Sequence, residues 1–75
     1  MREVKFKMEI PGQVEVGQRV EISEYKSGNY YYVIKPAVAQ SGCYRANERI
    51  HSKTGIVKDI KETDRGYYVT VEFKD

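Results

Sequence analysis

The stretch TGIVKDIKETDRGYYVTVEF, Thr54 to Phe73, decides how this chain folds. Its second half alternates without a break. Tyr67, Val69, Val71 and Phe73 fall on one parity and Tyr68, Thr70 and Glu72 on the other, the two-residue repeat of a strand with one face buried. The first half begins at Gly55, and its apolar residues Ile56, Val57 and Ile60 do not keep a single parity, which predicts a bulge or strong twist close to the glycine. Between the halves, ETDRG, Glu62 to Gly66, is polar and ends in glycine. Two strands joined by such a loop form an antiparallel hairpin.

The same period appears upstream. Val4, Phe6, Met8 and Ile10 share one parity and Lys5, Lys7 and Glu9 the other, so the chain opens on a half-buried strand. Pro11 and Gly12 break it, and Val14 and Val16 briefly resume the alternation. Gly17 then precedes a second alternating run that turns Val20 and Ile22 inward. KSGN, Lys26 to Asn29, reads as a turn into Tyr30 to Ile34, an aromatic and β-branched run suited to a pleated strand. Pro36 stops that strand or confines it to a sheet edge. From Ala37 to Ser52 no period is sustained, and the segment reads as a long loop with one helical turn near Ala46 to Arg49. About five short strands and no convincing helix predict an all-β fold, a small barrel or strongly bent sheet forming a single domain over residues 1–75. Closing the sheet also protects its edges.

A family likeness follows from these motifs. SKTGIVKDIKETDRGYYVTVEF, Ser52 to Phe73, resembles the KOW element of SH3-like barrels in ribosomal proteins and bacterial transcription elongation factors: a lysine-flanked glycine, an apolar pair, a polar turn and a Val-x-Val strand. Gly55 matches the glycine of that motif, and Val57, Ile60, Val69 and Val71 match its core positions. VGQRVEI, Val16 to Ile22, is similar to the opening strand of many SH3-like barrels. The resemblance implies an SH3-like barrel of about five antiparallel strands and, through the KOW element, contact with RNA. The chain departs from the family pattern by inserting Lys26 to Ser52 where the comparable pieces are normally adjacent.

Composition narrows the role. At 75 residues there is room for one core. The single cysteine, Cys43, can form no internal disulfide, which points to a reducing, cytoplasmic setting and to stability from packing or association. The opening MREVKFKMEI lacks the unbroken apolar run of a signal peptide, and no segment approaches the roughly 20 apolar residues that span a bilayer, so no membrane partner is expected. The net charge is only +2, but it is unevenly spread: residues 26–53 hold five bases and one acid, Glu48, whereas the remainder holds eight bases and ten acids. Four of the seven tyrosines lie in the basic segment.

Cations interleaved with flat rings suit RNA or single-stranded DNA, where bases stack on aromatic faces for about 1–3 kcal/mol each and basic side chains track phosphates. On that reading Tyr30, Tyr31 and Tyr44 stack, while Lys35, Arg45, Arg49 and Lys53 contact phosphate. Tyrosine and arginine are equally the residues of protein-binding hot spots, so a protein partner is the alternative. The structural reading is simpler. Tyr30 and Tyr32 share one strand face and Tyr31 the other, so at least one ring belongs to the core, and basic side chains on a loop are commonly just solvated. Steep weakening with salt separates phosphate binding from an aromatic protein interface.

Other functions find little in the residues. His51 is the one histidine, and no serine, cysteine or carboxylate stands in a nucleophile–base motif, so no catalytic residues are assigned and no enzyme is expected. Cys43 and His51 fall short of the four ligands of a structural zinc site, so neither a metal nor a cofactor is expected. Asp59 and Asp64 lie at or near the last turn, where acids serve as turn formers. The glycines are scattered singly rather than gathered into a phosphate-binding loop. A nucleic-acid mimic would be strongly acidic, so a regulatory role of the phage or mobile-element type would instead use the tyrosine-rich segment or a strand edge. Homodimerisation through the first strand or through Tyr30 to Ile34 is a further option.

Overall fold

The computed structural model describes residues 1–35 and 38–74, so the expectation that Pro36 ends a strand lies outside the described residues. Six antiparallel strands are seen among the described residues: β1 (Arg2–Met8), β2 (Arg19–Ser27), β3 (Asn29–Ile34), β4 (Ala39–Ser41), β5 (Thr54–Thr63) and β6 (Gly66–Phe73). One 3₁₀ turn (Ala46–Glu48) falls within the expected helical turn. The strands close into a barrel in the order β1-β4-β3-β2-β5-β6, with β6 paired back to β1. The fold is all-β.

The predicted C-terminal hairpin forms, and the predicted KSGN turn joins β2 and β3 as a second one. β2 and β3 pair Ser27 with Asn29 around Gly28, whose φ of +75° is open to glycine and strained for other residues. β5 and β6 pair Thr63 with Gly66 around a two-residue tip, Asp64 and Arg65. The Thr63 hydroxyl accepts a hydrogen bond from the Arg65 N–H (3.2 Å) and donates to the Gly66 carbonyl (2.9 Å), which fixes the tip. The broken parity at the start of β5 has a direct cause. Register passes from Val57 opposite Val71 to Asp59 opposite Thr70, leaving Lys58 as the extra residue of a bulge. The bulge puts Val57 and Ile60 on the same inward face.

The core is one cluster inside the barrel, with Phe6, Tyr32, Ile34, Val57, Val71 and Phe73 fully buried. Val20 and Ile22 point inward as their parity predicts, and Val14, from the β1–β2 connection, joins the core. Ile10 and Val16 do not: both lie beyond the strand ends, in the β1–β2 connection, and are 63% and 62% exposed.

The expected count of about five strands is corrected to six, because the segment read as a loop contains β4. β4 pairs with β1 through Ser41 and Gln40 and with β3 through Gln40 and Ala39, so it completes the wall between them. Three residues are too few to display a period. The inward residues are also small: Ala39, and Ser41, whose hydroxyl accepts from the Tyr32 N–H (2.9 Å) and donates to the Gly42 carbonyl (2.8 Å). With neighbours on both sides, β3 is not an edge strand. Of Lys26 to Ser52, expected to be an insertion between barrel pieces, β3 and β4 are walls of the barrel itself.

Candidate functional site

Inward parity on β2 runs Val20, Ile22, Glu24. The third of these falls where β2 has parted from β5, whose last pair with it is Glu21 with Thr54, so a carboxylate stands at the open end of the barrel. Directly across on β3 is Tyr32, whose ring is core and whose hydroxyl donates to Glu24 Oε2 (2.7 Å). That hydroxyl also accepts from the Ile50 N–H (2.8 Å). Arg49 closes the network with two bonds to the Glu24 carboxylate, Nε to Oε2 (3.0 Å) and Nη2 to Oε1 (2.7 Å). The hydrogen bonds from Arg49, and then from Tyr32, hold the Glu24 carboxyl below its usual range. Burial, and then the bond to Glu24, push the Tyr32 hydroxyl above its usual range, and Glu24 raises the already high Arg49.

This network latches residues 42–53 across the barrel end. A second clasp comes from Arg2, which donates from Nη1 to the Arg49 carbonyl (3.0 Å) and from Nη2 to the Glu48 carbonyl (2.6 Å). The segment is stitched to β3 as well, by reciprocal backbone bonds between Tyr30 and Tyr44 (2.8 and 2.7 Å). Its backbone also meets β2, the Ile22 N–H donating to the Lys53 carbonyl (2.9 Å).

Three of the seven residues expected to bind, Lys35, Arg49 and Lys53, line one groove along this rim, together with His51, Ser23 and Glu24. Lys35 stands 3.8 Å from Glu21 with both side chains more than half exposed, a pairing worth little in water. Tyr30 lies beside Arg49, with the guanidinium 4.7 Å from its ring centre and the Lys26 ammonium 5.6 Å away. Tyr44 packs against Tyr32 at 6.2 Å and has Arg2 5.3 Å from its own ring centre. Arg45 is exposed at the start of the 3₁₀ turn, with its N–H held by Glu48 Oε1 (3.2 Å).

Tyr31 is elsewhere. It points outward from β3 and stacks on Tyr25 across the β2–β3 ladder, ring centres 5.4 Å apart and 17° from parallel. The pair borders a separate groove with Val33, Val38, Ile10 and Lys7. Sequence reasoning missed Glu24, Arg2 and Tyr25 as parts of these surfaces, and it held Lys26 within the basic segment without naming it as a contact. Tyr25 and Lys26 sit next to the turn that places them opposite Tyr31 and Tyr30, so their pairing was available from the hairpin register; the contacts of Arg2 and Glu24 with residues far along the chain carry no local signal.

Among the described residues no three His, Cys, Asp or Glu side chains gather as a metal site, and no helix is long and apolar enough to cross a membrane. What the fold and surfaces define is a small closed antiparallel barrel with a basic, latched rim at one end. Comparison of the chain with protein-family models, curated proteins and solved structures returns no match.

Proposed function

We propose that the chain is a non-enzymatic, cofactor-free cytoplasmic binding module whose ligand is single-stranded nucleic acid, RNA or DNA. The observation that carries this reading is the convergence of Lys35, Arg49 and Lys53 on one rim groove beside the Tyr30 ring. Arg49 is committed to Glu24 and orients the rim, so phosphate contacts fall to Lys26, Lys35, Arg45 and Lys53. Tyr30 and Tyr44, both half-buried at the rim, are the rings beside the path for bases. The barrel is compatible with an SH3-like one, and we read its β5–β6 hairpin as a KOW-like element with Gly55 at the motif's glycine.

The test is a titration of isotope-labelled protein with a mixed single-stranded RNA and DNA pool, first at low and then at physiological salt. Amide shifts that include residues 26–35 and 44–53 and fade as salt rises support the reading. An unchanged spectrum at low salt overturns it.

A second reading has its own observation. The stacked Tyr25–Tyr31 pair borders an apolar groove with a mixed-charge flank, where Lys7 pairs with Glu9 at 3.5 Å. Such a surface suits a protein partner or a second copy of the chain more than a phosphate backbone. A double Tyr25→Ser, Tyr31→Ser variant that keeps full oligonucleotide affinity assigns that wall to a different ligand.

A further inference from the structure

On the wall next to the rim lies a second groove, ≈ 490 Å³ in volume, running between the first residues of β5 and the end of β6. Ser52 and Lys53 line both grooves, so the two adjoin at that ridge. Arg19 reaches the second groove from the outward face of β2, where it pairs with Ile56 of β5, and Lys74 reaches it from the end of β6. Neither Arg19, Lys53 nor Lys74 makes an ion pair among the described residues. The lone carboxylate in the lining, Glu72, has Lys58 3.8 Å away.

Gly55, paired with Val20 of β2, is buried against β6, and a Cβ on it would stand 2.6 Å from Val71 Cγ1 and 2.8 Å from both the Glu72 carbonyl oxygen and Phe73 Cε1. Without a side chain at Gly55 the strands close tightly, and Ile56, of the opposite parity, faces outward, 38% exposed, as an apolar patch in the same lining as three cations and Thr54. Unpaired cations around a small apolar floor match a sugar–phosphate backbone, whose anionic oxygens and apolar sugar faces recur along its length.

We propose that this groove continues the nucleic-acid path: a single strand lying in the rim groove crosses the Ser52–Lys53 ridge and places a further phosphodiester among Arg19, Lys53 and Lys74. The proposal rests on the reading of the rim as a nucleic-acid site and extends it to two residues outside the basic middle of the sequence.

The experiment measures affinity for a short mixed-sequence single-stranded RNA over a range of salt concentrations, using the wild-type chain, an Arg19→Gln, Lys74→Gln double variant and a Lys35→Gln control. All three substitutions are of exposed side chains, and amide spectra check that each variant keeps the fold. For single strands each lost phosphate contact flattens the slope of log K against log salt by about 0.7, so the double variant, which gives up the one phosphate of the second groove, should lose about 0.7, and the control, which gives up one phosphate of the rim, should also lose about 0.7. A double variant with wild-type slope and affinity, alongside a weakened control, overturns the second groove and leaves the rim reading standing. No binding by the wild-type chain at low salt overturns both.

Discussion

At the scale of single residues the Tyr32 hydroxyl is the hinge of the structure, because it serves two partners from a buried ring. Tyr32→Phe removes the donor to Glu24 and leaves the N–H of buried Ile50 without its acceptor. An unsatisfied buried donor costs about 1–3 kcal/mol, so the variant should unfold at lower denaturant by that amount in equilibrium melts. Equal stability of variant and wild type would remove the latch from the description. The same residues set a pH window. Glu24 has a lowered folded pKa, so its contribution is present above the ordinary carboxylate value of 4.5 and is lost as pH falls through the lower folded value. Tyr32 has a raised folded pKa, so its contribution is complete below the ordinary value of 10.0 and is lost as pH rises through the higher folded value. Stability should therefore be level between these limits and decline outside them. In Glu24→Gln the acid-side decline should shrink, and thermal melts across pH read both arms.

At the scale of elements, the clasp and the turns carry the predictions. Arg2→Ala removes two hydrogen bonds to the carbonyls of Glu48 and Arg49 and a cation from the Tyr44 ring. Amide exchange in residues 45–50 should accelerate while the β5–β6 ladder keeps its protection; uniform protection in the variant would show that Arg2 clamps nothing. Gly66 holds a φ of +124° at the head of β6, and a Cβ there would also stand 3.2 Å from the Met8 carbonyl oxygen. Gly66→Ala should cost more than about 1 kcal/mol, read from the shift in the denaturation midpoint. Much of this level was legible in the sequence. The alternation of Val4, Phe6 and Met8 and of Val69, Val71 and Phe73 is that of their burial, and the three-residue gap between Val57 and Ile60 announced the bulge that realigns them. β4 was hidden because three residues with small inward side chains carry no period. The latch was hidden for a different reason: Glu24 with Arg49, and Arg2 with Glu48, are joined by long-range closure of the barrel, and strand neighbours distant in sequence leave no local trace.

At the scale of the whole molecule, closure of the barrel sorts charges and rings onto different walls. The basic middle of the sequence does not form one patch. Its tyrosines divide among the core (Tyr32), the rim (Tyr30 and Tyr44) and the outer wall (Tyr31), while Arg19 and Lys74, from outside that middle, join the groove that adjoins the rim. A segment-level charge count found Lys35, Arg49 and Lys53 but not the cations that barrel closure brings beside them. The most direct measurement of the central claim is the salt dependence of the wild-type chain's affinity for single-stranded RNA and DNA. Four to six phosphate contacts along the rim and its continuation predict binding at low salt with a log–log slope of about −3 to −4. An absence of binding at low salt, or a slope near zero, would contradict a phosphate-tracking surface.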